Sequence, residues 1–359
     1  MTEPKNFLVL YEIIFAQKLR YLVSMKRCQG YNIYIIGVAA GWMKVRLAVL
    51  LCVIASLLST QEIHAQNEVQ TSMYCATPSL YNPATAGSDS ALHVNAFDRM
   101  QWVGVEGAPQ TFFVSVDAPI RLMRKRLGVG VSVLNDQAGL FKTTYVNAQF
   151  NYSLSLFGGR LAIGVQPGFV NQSFSGGEVF IPSGDAWEGS DPSIPRNDVS
   201  GKGFDLGLGA YYEHGAWYGG IGAQHLNSAE LELADYAYSQ LQTTLYFHAG
   251  GNISLKRTLF ILQPSVLVKT TFQFTQCDFT LRALWNHKFW GGLAYRPDDA
   301  VIVMLGANIG SVSLGYAYDI GISRFGMASG GSHEIMARWT MPIELDKKTN
   351  HGRKSIRIL

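Results

Sequence analysis

The chain has 359 residues, of which 48% are hydrophobic, 12% aromatic and only 15% charged, with 37 glycines and 12 prolines. That is too apolar and aromatic for a disordered chain, and the pattern suits many strands and turns. The formal charge of +3 comes from one end: residues 1–65 carry seven Lys/Arg and three Asp/Glu, leaving 22 basic against 23 acidic residues in 66–359. No strongly basic face remains, which argues against a nucleic-acid partner.

In chain order, the first readable element begins at Met43, "MKVRLAVLLCVIASLLSTQEIHAQ". Lys44 and Arg46 form a basic n-region and Leu47 to Leu58 an apolar h-region. The run is short of the about 20 residues that a spanning helix needs. Residues 43–65 therefore read as a signal peptide cleaved near Ala65, and no lipobox is visible because Cys52 lies inside the apolar run. Residues 1–42, broken by Glu12, Lys18 and Arg20, read as an extension ahead of the true start at Met43. Residues 66–90 are expected to be an N-terminal periplasmic segment leading into the main fold. Cys75 and Cys277 are the cysteines beyond the signal peptide, and one disulfide between them stays open.

From residue 91 to 342, period-two alternation dominates. Val146, Ala148, Phe150 and Tyr152 fall on one face; Asn147, Gln149, Asn151 and Ser153 fall on the other. The same alternation runs through Leu161, Ile163 and Val165, then Phe204, Leu206 and Leu208, then Val312, Leu314 and Tyr316. Many of the segments approach the roughly nine to eleven residues that cross a bilayer in a tilted barrel, beyond the about five or six of soluble strands. Tight connections ("FGG" near 158, "EHGA" near 214, "LKRT" near 256, "NIGS" near 309) alternate with long ones after Phe174, after Leu226 and before the last strand. "RPDD" near 297 and the hairpin Lys269 to Phe274 depart from that alternation. The expected fold is all-β: a single antiparallel transmembrane β-barrel of about 14 strands, of the outer-membrane type, with short periplasmic turns and long external loops. Residues 343–359 are left as a basic C-terminal tail.

Three segments resemble one family: "YNPATAG" (Tyr81 to Gly87), "RMQWVGVEGAP" (Arg99 to Pro109) and "NDQAGL" (Asn135 to Leu140), with "GSHEI" (Gly331 to Ile335) near the end. They are similar to the PorP/SprF family of Bacteroidetes. The resemblance implies an outer-membrane barrel of the type IX secretion system, acting in secretion of surface adhesins and gliding motility. It implies two partners, a type IX-secreted surface protein or adhesin and the type IX secretion machinery, besides outer-membrane lipid. The alternative is an outer-membrane channel or hydrophobic-compound transporter.

No catalytic constellation stands out, so no enzyme activity, cofactor or metal is expected. There is no G-x-S-x-G elbow, H-E-x-x-H or phosphate loop. "SHEIMAR" holds His333 and Glu334 without a second histidine, and His248 with Asn252 is a weak candidate for a lipase-type pair. Asp185, Glu188, Asp191 and Asp198 crowd the longest loop at spacings that match no standard calcium site, and a solvated loop is favoured. Gln166, Asp205, Arg282, Arg296, Asp319 and Arg338 are expected to face the lumen, where mixed charges can pair and fill a barrel. The candidate partner-binding residues are Arg99, Gln101, Trp102, Gly104, Gly107, Pro109, Asp136 and Gly139. Two readings stand for them: a structural rim in which Arg99 pairs with Asp136, or a docking surface for a secreted partner.

Overall fold

A computed structural model describes residues 68–122, 125–179, 195, 197–234, 237–324 and 326–343. The alternating segments form strands β1 (Ala91–Met100), β2 (Gln110–Leu122), β3 (Lys125–Ala138), β4 (Phe141–Leu156), β5 (Gly159–Phe174), β6 (Val199–His214) and β7 (Trp217–Gln224). They continue as β8 (Glu230–Ala234), β9 (Ala237–Gln240), β10 (Thr244–Gly251), β11 (Ile253–Ser254), β12 (Phe260–Thr270) and β13 (Thr275–Trp285). The last are β14 (Phe289–Arg296), β15 (Ala300–Ile309), β16 (Val312–Gly321) and β17 (Ser332–Pro342). β8 and β9 pair only with each other, in the connection after β7, and β11 pairs with β12 alone.

The remaining strands make a closed, 14-stranded antiparallel barrel. β7 pairs with β10 and β10 with β12, and the ring closes where β1 runs against β17 from Ala91 opposite Pro342 to Met100 opposite His333. Closure leaves no barrel strand with an unpaired edge, which hydrocarbon surroundings demand.

The alternation has the opposite sense to that of a soluble sheet. In β1 the inward side chains are His93, Asn95, Phe97 and Arg99, all buried; in β4 Gln149 and Asn151 are buried while Val146 and Phe150 are exposed. Outward-facing Val131, Ile163, Phe204, Ile221, Leu281, Leu293, Leu305 and Ile335 make an apolar belt around the wall. Exposed Phe157, Trp217, Trp285, Phe289 and Trp339 sit by the short turns, where a membrane barrel carries its aromatic girdle. Both strand termini, at Ala91 and Pro342, lie at that same end, so it is the periplasmic end in the usual barrel orientation. On the opposite side, residues 139–140, 271–274 and 297–299 are short links among longer loops. That places the two connections that broke the simple alternation of turn lengths.

Residues 68–90, within the stretch expected to be the periplasmic or entry segment, run inside the barrel as a plug. They form three single 3-10 turns, Tyr74–Ala76, Pro78–Leu80 and Pro83–Thr85, and otherwise no regular structure. A segment without a ladder must find partners for its backbone polar groups elsewhere. Inward-facing amides of the wall supply them. Gln149 Nε2 donates to the Ser79 carbonyl at 2.7 Å, Asn151 Nδ2 to the Ala86 carbonyl at 2.6 Å, and Gln224 Nε2 to the Leu80 carbonyl. Apolar plug residues pack on the wall as well: Met73 and Ala76 join Phe97, Phe113, Trp290 and Met336, and the Tyr81 ring lies 5.1 Å from that of Tyr246.

Glycines in mid-strand make room for this contact. A Cβ on Gly164 would lie 2.6 Å from the Ala84 nitrogen, and one on Gly128 or Gly222 would collide with the carbonyl oxygen of Ala86 or Tyr81. A Gly164→Leu barrel is therefore expected to keep its β-rich circular dichroism and heat-modifiable gel migration. Its urea stability should fall by about 1–3 kcal/mol, the usual cost of overpacking.

Candidate functional site: the plugged lumen and its loop rim

The plug is held at three places. The first is a buried ionic clasp at the seam. Arg99 on β1 and Glu334 on β17 are direct cross-strand partners. The Arg99 Nη2 lies 2.7 Å from Asp319 Oδ2, and Nη1 lies 3.3 Å from Glu334 Oε2. Arg296 completes the array, with Nε 2.6 Å from Asp278 Oδ1 and Nη1 3.3 Å from Asp319 Oδ2. The plug inserts its donors here: the Ser72 and Met73 N–H groups reach the two Glu334 oxygens at 2.7 and 2.9 Å. The Thr71 hydroxyl donates to Glu334 at 2.6 Å and the Ser72 hydroxyl to Asp319 at 2.7 Å.

The second hold is the "YNPATAG" segment. Asn82 caps its 3-10 turn by accepting the Ala84 N–H at 3.0 Å, and its Nδ2 reaches the Ala210 carbonyl at 2.9 Å and His248 Nε2 at 3.0 Å. Gly87 leaves the turn at a φ of +59° and donates its N–H to Asp117 Oδ2 at 2.9 Å. The third hold is Glu68, which accepts from the Tyr246 hydroxyl at 2.7 Å and lies 3.5 Å from His225 Nε2, while Lys269 Nζ donates to the Glu68 carbonyl at 3.4 Å. Burial pushes the Glu68 carboxyl up, but His225, Tyr246 and Lys269 outweigh it and hold the group below the usual carboxylate range.

The rim lies above the clasp. Gln101 donates its N–H to the Pro109 carbonyl at 2.9 Å and its Nε2 to Gln70 of the plug at 2.7 Å. Trp102, at a φ of +44°, donates its N–H to Ser332 Oγ at 3.2 Å. Val103 exchanges backbone hydrogen bonds with Gly330 and Gly331, both 2.8 Å. Gly107 and Gly139, at φ values of +69° and +58°, join through the Gly139 N–H to the Gly107 carbonyl at 2.9 Å. The loop 101–109 is thus tied to two neighbouring loops, and Val103, Gly104, Glu106 and Gly107 are what it exposes.

Arg99 does not pair with Asp136. Asp136 accepts from the Thr111 hydroxyl at 2.5 Å, while Arg99 points inward and is 1% exposed. Of the candidate docking residues, Gly104, Gly107 and Gly139 are exposed, Gln101, Trp102, Pro109 and Asp136 are half-buried, and Arg99 belongs to the clasp. Sequence reasoning gave no role to Glu68, Asn82, Gln149 or Asn151. It met Glu334 in the "GSHEI" segment and in an incomplete zinc motif, and gave it no partner. For Gln149, Asn151 and Glu334 the inward register of polar side chains was the available signal.

His248 and Asn252 each have another hydrogen-bond partner. His248 meets Asn82 and stacks on Tyr211, ring centres 5.7 Å apart, while Asn252 Oδ1 accepts from Gln263. Cys75 and Cys277 are both free thiols. Asp185, Glu188, Asp191 and the tail after Ile343 lie outside the described residues. Among the described residues no group of three or more His, Cys, Asp or Glu side chains is placed to hold a metal ion.

The family model described as type IX secretion system membrane protein PorP/SprF matches residues 63–339, from just ahead of the plug to the last strand. The chain belongs to the PorP/SprF family. The segments that carry the sequence resemblance converge on the plug and rim: Arg99 and Glu334 in the clasp, Asn82 to Gly87 in the plug, Gly107 and Gly139 in the braced loops. Membership makes this an outer-membrane barrel associated with the type IX secretion machinery. Among solved structures, the chain is similar to the CymD monoaromatic hydrocarbon channel, at 12% identity and a TM-score of 0.46, covering 76% of this chain and 94% of that one. It is similar also to the Ralstonia pickettii toluene transporter TbuX, at 11% identity and a TM-score of 0.45, covering 74% and 93%. A third is the Acinetobacter baumannii outer membrane protein Omp33, at 7% identity and a TM-score of 0.42, covering 70% and 99%. No curated protein matches the chain.

Removing one partner of a buried charge array strands the others without compensation, at a cost of about 3–5 kcal/mol. Arg99→Ala and Glu334→Ala should each lower urea stability by that order. The double variant should lose clearly less than the sum of the two, because the pair acts as a unit.

Proposed function

We propose that this barrel binds, anchors or assists export of type IX-secreted surface proteins through protein–protein contacts, as in adhesin display and gliding motility. Its external loops meet the secreted protein, and its periplasmic turns meet the secretion machinery. The observation that carries the reading is a lumen occupied by the chain's own residues 68–90 beneath a braced rim: such a barrel is suited to holding a partner on its surface. Within the rim, Val103 to Gly107 together with Gly139 offer the accessible docking surface. Their backbone is fixed by three loops, and rigid presentation lowers the entropic cost of binding. No reaction or cofactor enters this account.

The test is affinity purification of the tagged protein from its native outer membrane, followed by mass spectrometry. Recovery of a large surface protein together with type IX components is expected. Val103→Asp with Glu106→Lys should reduce recovery of the surface protein at least about tenfold, the scale of one interface hot spot, while the barrel still shows heat-modifiable migration. Reproducible absence of both partners from the native preparation contradicts the reading. A steady, solute-permeable conductance of the purified barrel in planar bilayers would favour the channel alternative instead.

A further inference from the structure

The luminal arginines differ in what holds them: Arg126 donates to plug carbonyls, that of Ser88 at 3.1 Å among them. Arg99 and Arg296 each pair with two or more carboxylates, and Arg160 pairs with Glu213 at 2.8 Å. Arg282 and Arg338 have no carboxylate at ion-pair distance among the described residues. Arg282 Nη2 donates to the neutral Gln263 at 2.8 Å, its guanidinium lies 5.0 Å from the Trp290 ring centre, and its Nε is buried without an acceptor. Arg338 Nε donates to the neutral Asn95 at 2.7 Å. The carboxylates that reach Arg338 electrostatically, Asp117 and Asp89, have closer partners: the Gly87 N–H at 2.9 Å and His93 Nε2 at 2.8 Å.

These two arginines line the same two cavities. The cavities, of about 280 and 410 Å³, occupy the lumen towards the short turns and share Cys75, Gln263, Arg282 and Arg338 in their walls. The larger reaches His287 and Gly310, in the turns that follow β13 and β15, so the space extends to the periplasmic mouth. Neither cavity has an Asp or Glu among its described lining residues. Two guanidiniums that repel across a partly desolvated space are stabilised most by an anion between them. Their planar donor forks match a carboxylate or a phosphate in two-point geometry.

We propose that this vestibule is a binding site for a compact anionic group, a carboxylate or a phosphate, reached from the periplasmic side. The proposal stands on the lumen geometry and does not depend on which protein docks at the outer rim.

Cys75 lines both cavities and is half-buried, so it reports their occupancy. The full chain carrying Cys28→Ser, Cys52→Ser and Cys277→Ser leaves it as the single thiol, and its alkylation by iodoacetamide is followed by mass spectrometry. The probes are inorganic phosphate, N-acetyl-triglycine with a free C-terminal carboxylate, and the C-terminal amide of the same peptide. Phosphate, the free acid or both should slow alkylation about tenfold at saturation, while the amide should not. Protection by phosphate alone assigns a phosphate-bearing ligand, and protection by the free acid alone assigns a peptide or other carboxylate. Arg282→Gln with Arg338→Gln should abolish the effect; Arg282→Lys with Arg338→Lys, which keeps both charges, should retain part of it. Equal alkylation with and without both anions in the native-arginine chain overturns the proposal, and so does equal slowing by the amide.

Discussion

The structure turns on one buried contact, Arg99 facing Glu334 across the seam where the first strand meets the last. A carboxylate and a guanidinium at about 1% exposure are costly to desolvate, and their mutual attraction repays that only when the remaining lone pairs and protons are satisfied. Here the satisfying groups come from the plug: the Ser72 and Met73 N–H groups and the Thr71 and Ser72 hydroxyls. The dependence is mutual. Without the plug the clasp holds under-solvated charge, and without the clasp residues 70–73 lose their backbone partners. Barrel closure, plug insertion and the polar inner wall follow from meeting the same requirement.

The plug leaves two surfaces, one at each end of the barrel. At the outer end, the tie between loops 101–109 and 322–331 fixes a rim whose exposed part is small and mostly backbone-defined. At the inner end, the lumen widens into an arginine-bearing vestibule. The plug lies between the two, and its Gln70 touches both Asp299, which pairs with the clasp's Arg296 at 3.2 Å, and the rim residue Gln101. Whatever occupies the rim therefore lies one hydrogen-bonded residue away from the charge array.

Much of the fold is legible in the sequence because the membrane imposes period-two alternation on every strand. Val146 to Ser153 announces both faces of β4, and the inward side chains of that strand are the ones the alternation sets apart. The loop motif is legible in part: Gly104 and Gly107, the glycines that suit its tight turn, do adopt positive φ. The pairing of Arg99 was not legible. Its acid partners lie 220 and 235 residues away, and only the ring closure that brings β17 beside β1 makes them neighbours. Asp136, one loop along, was the nearer choice by sequence and the wrong one in space. The plug was hidden for a related reason. Its partners are single side chains spread over many strands, so residues 68–90 carry no periodic pattern of their own, and the glycines that admit them resemble ordinary strand glycines until the wall is seen from inside.

Hydrogen–deuterium exchange on the purified barrel tests the central claim most directly. The plug lying clasped in the lumen predicts that the amides of Ser72, Met73, Ala84 and Gly87, each with an acceptor in the structure, exchange as slowly as those of the barrel strands. Exchange of residues 68–90 within seconds, at the rate of a free tail, would contradict it.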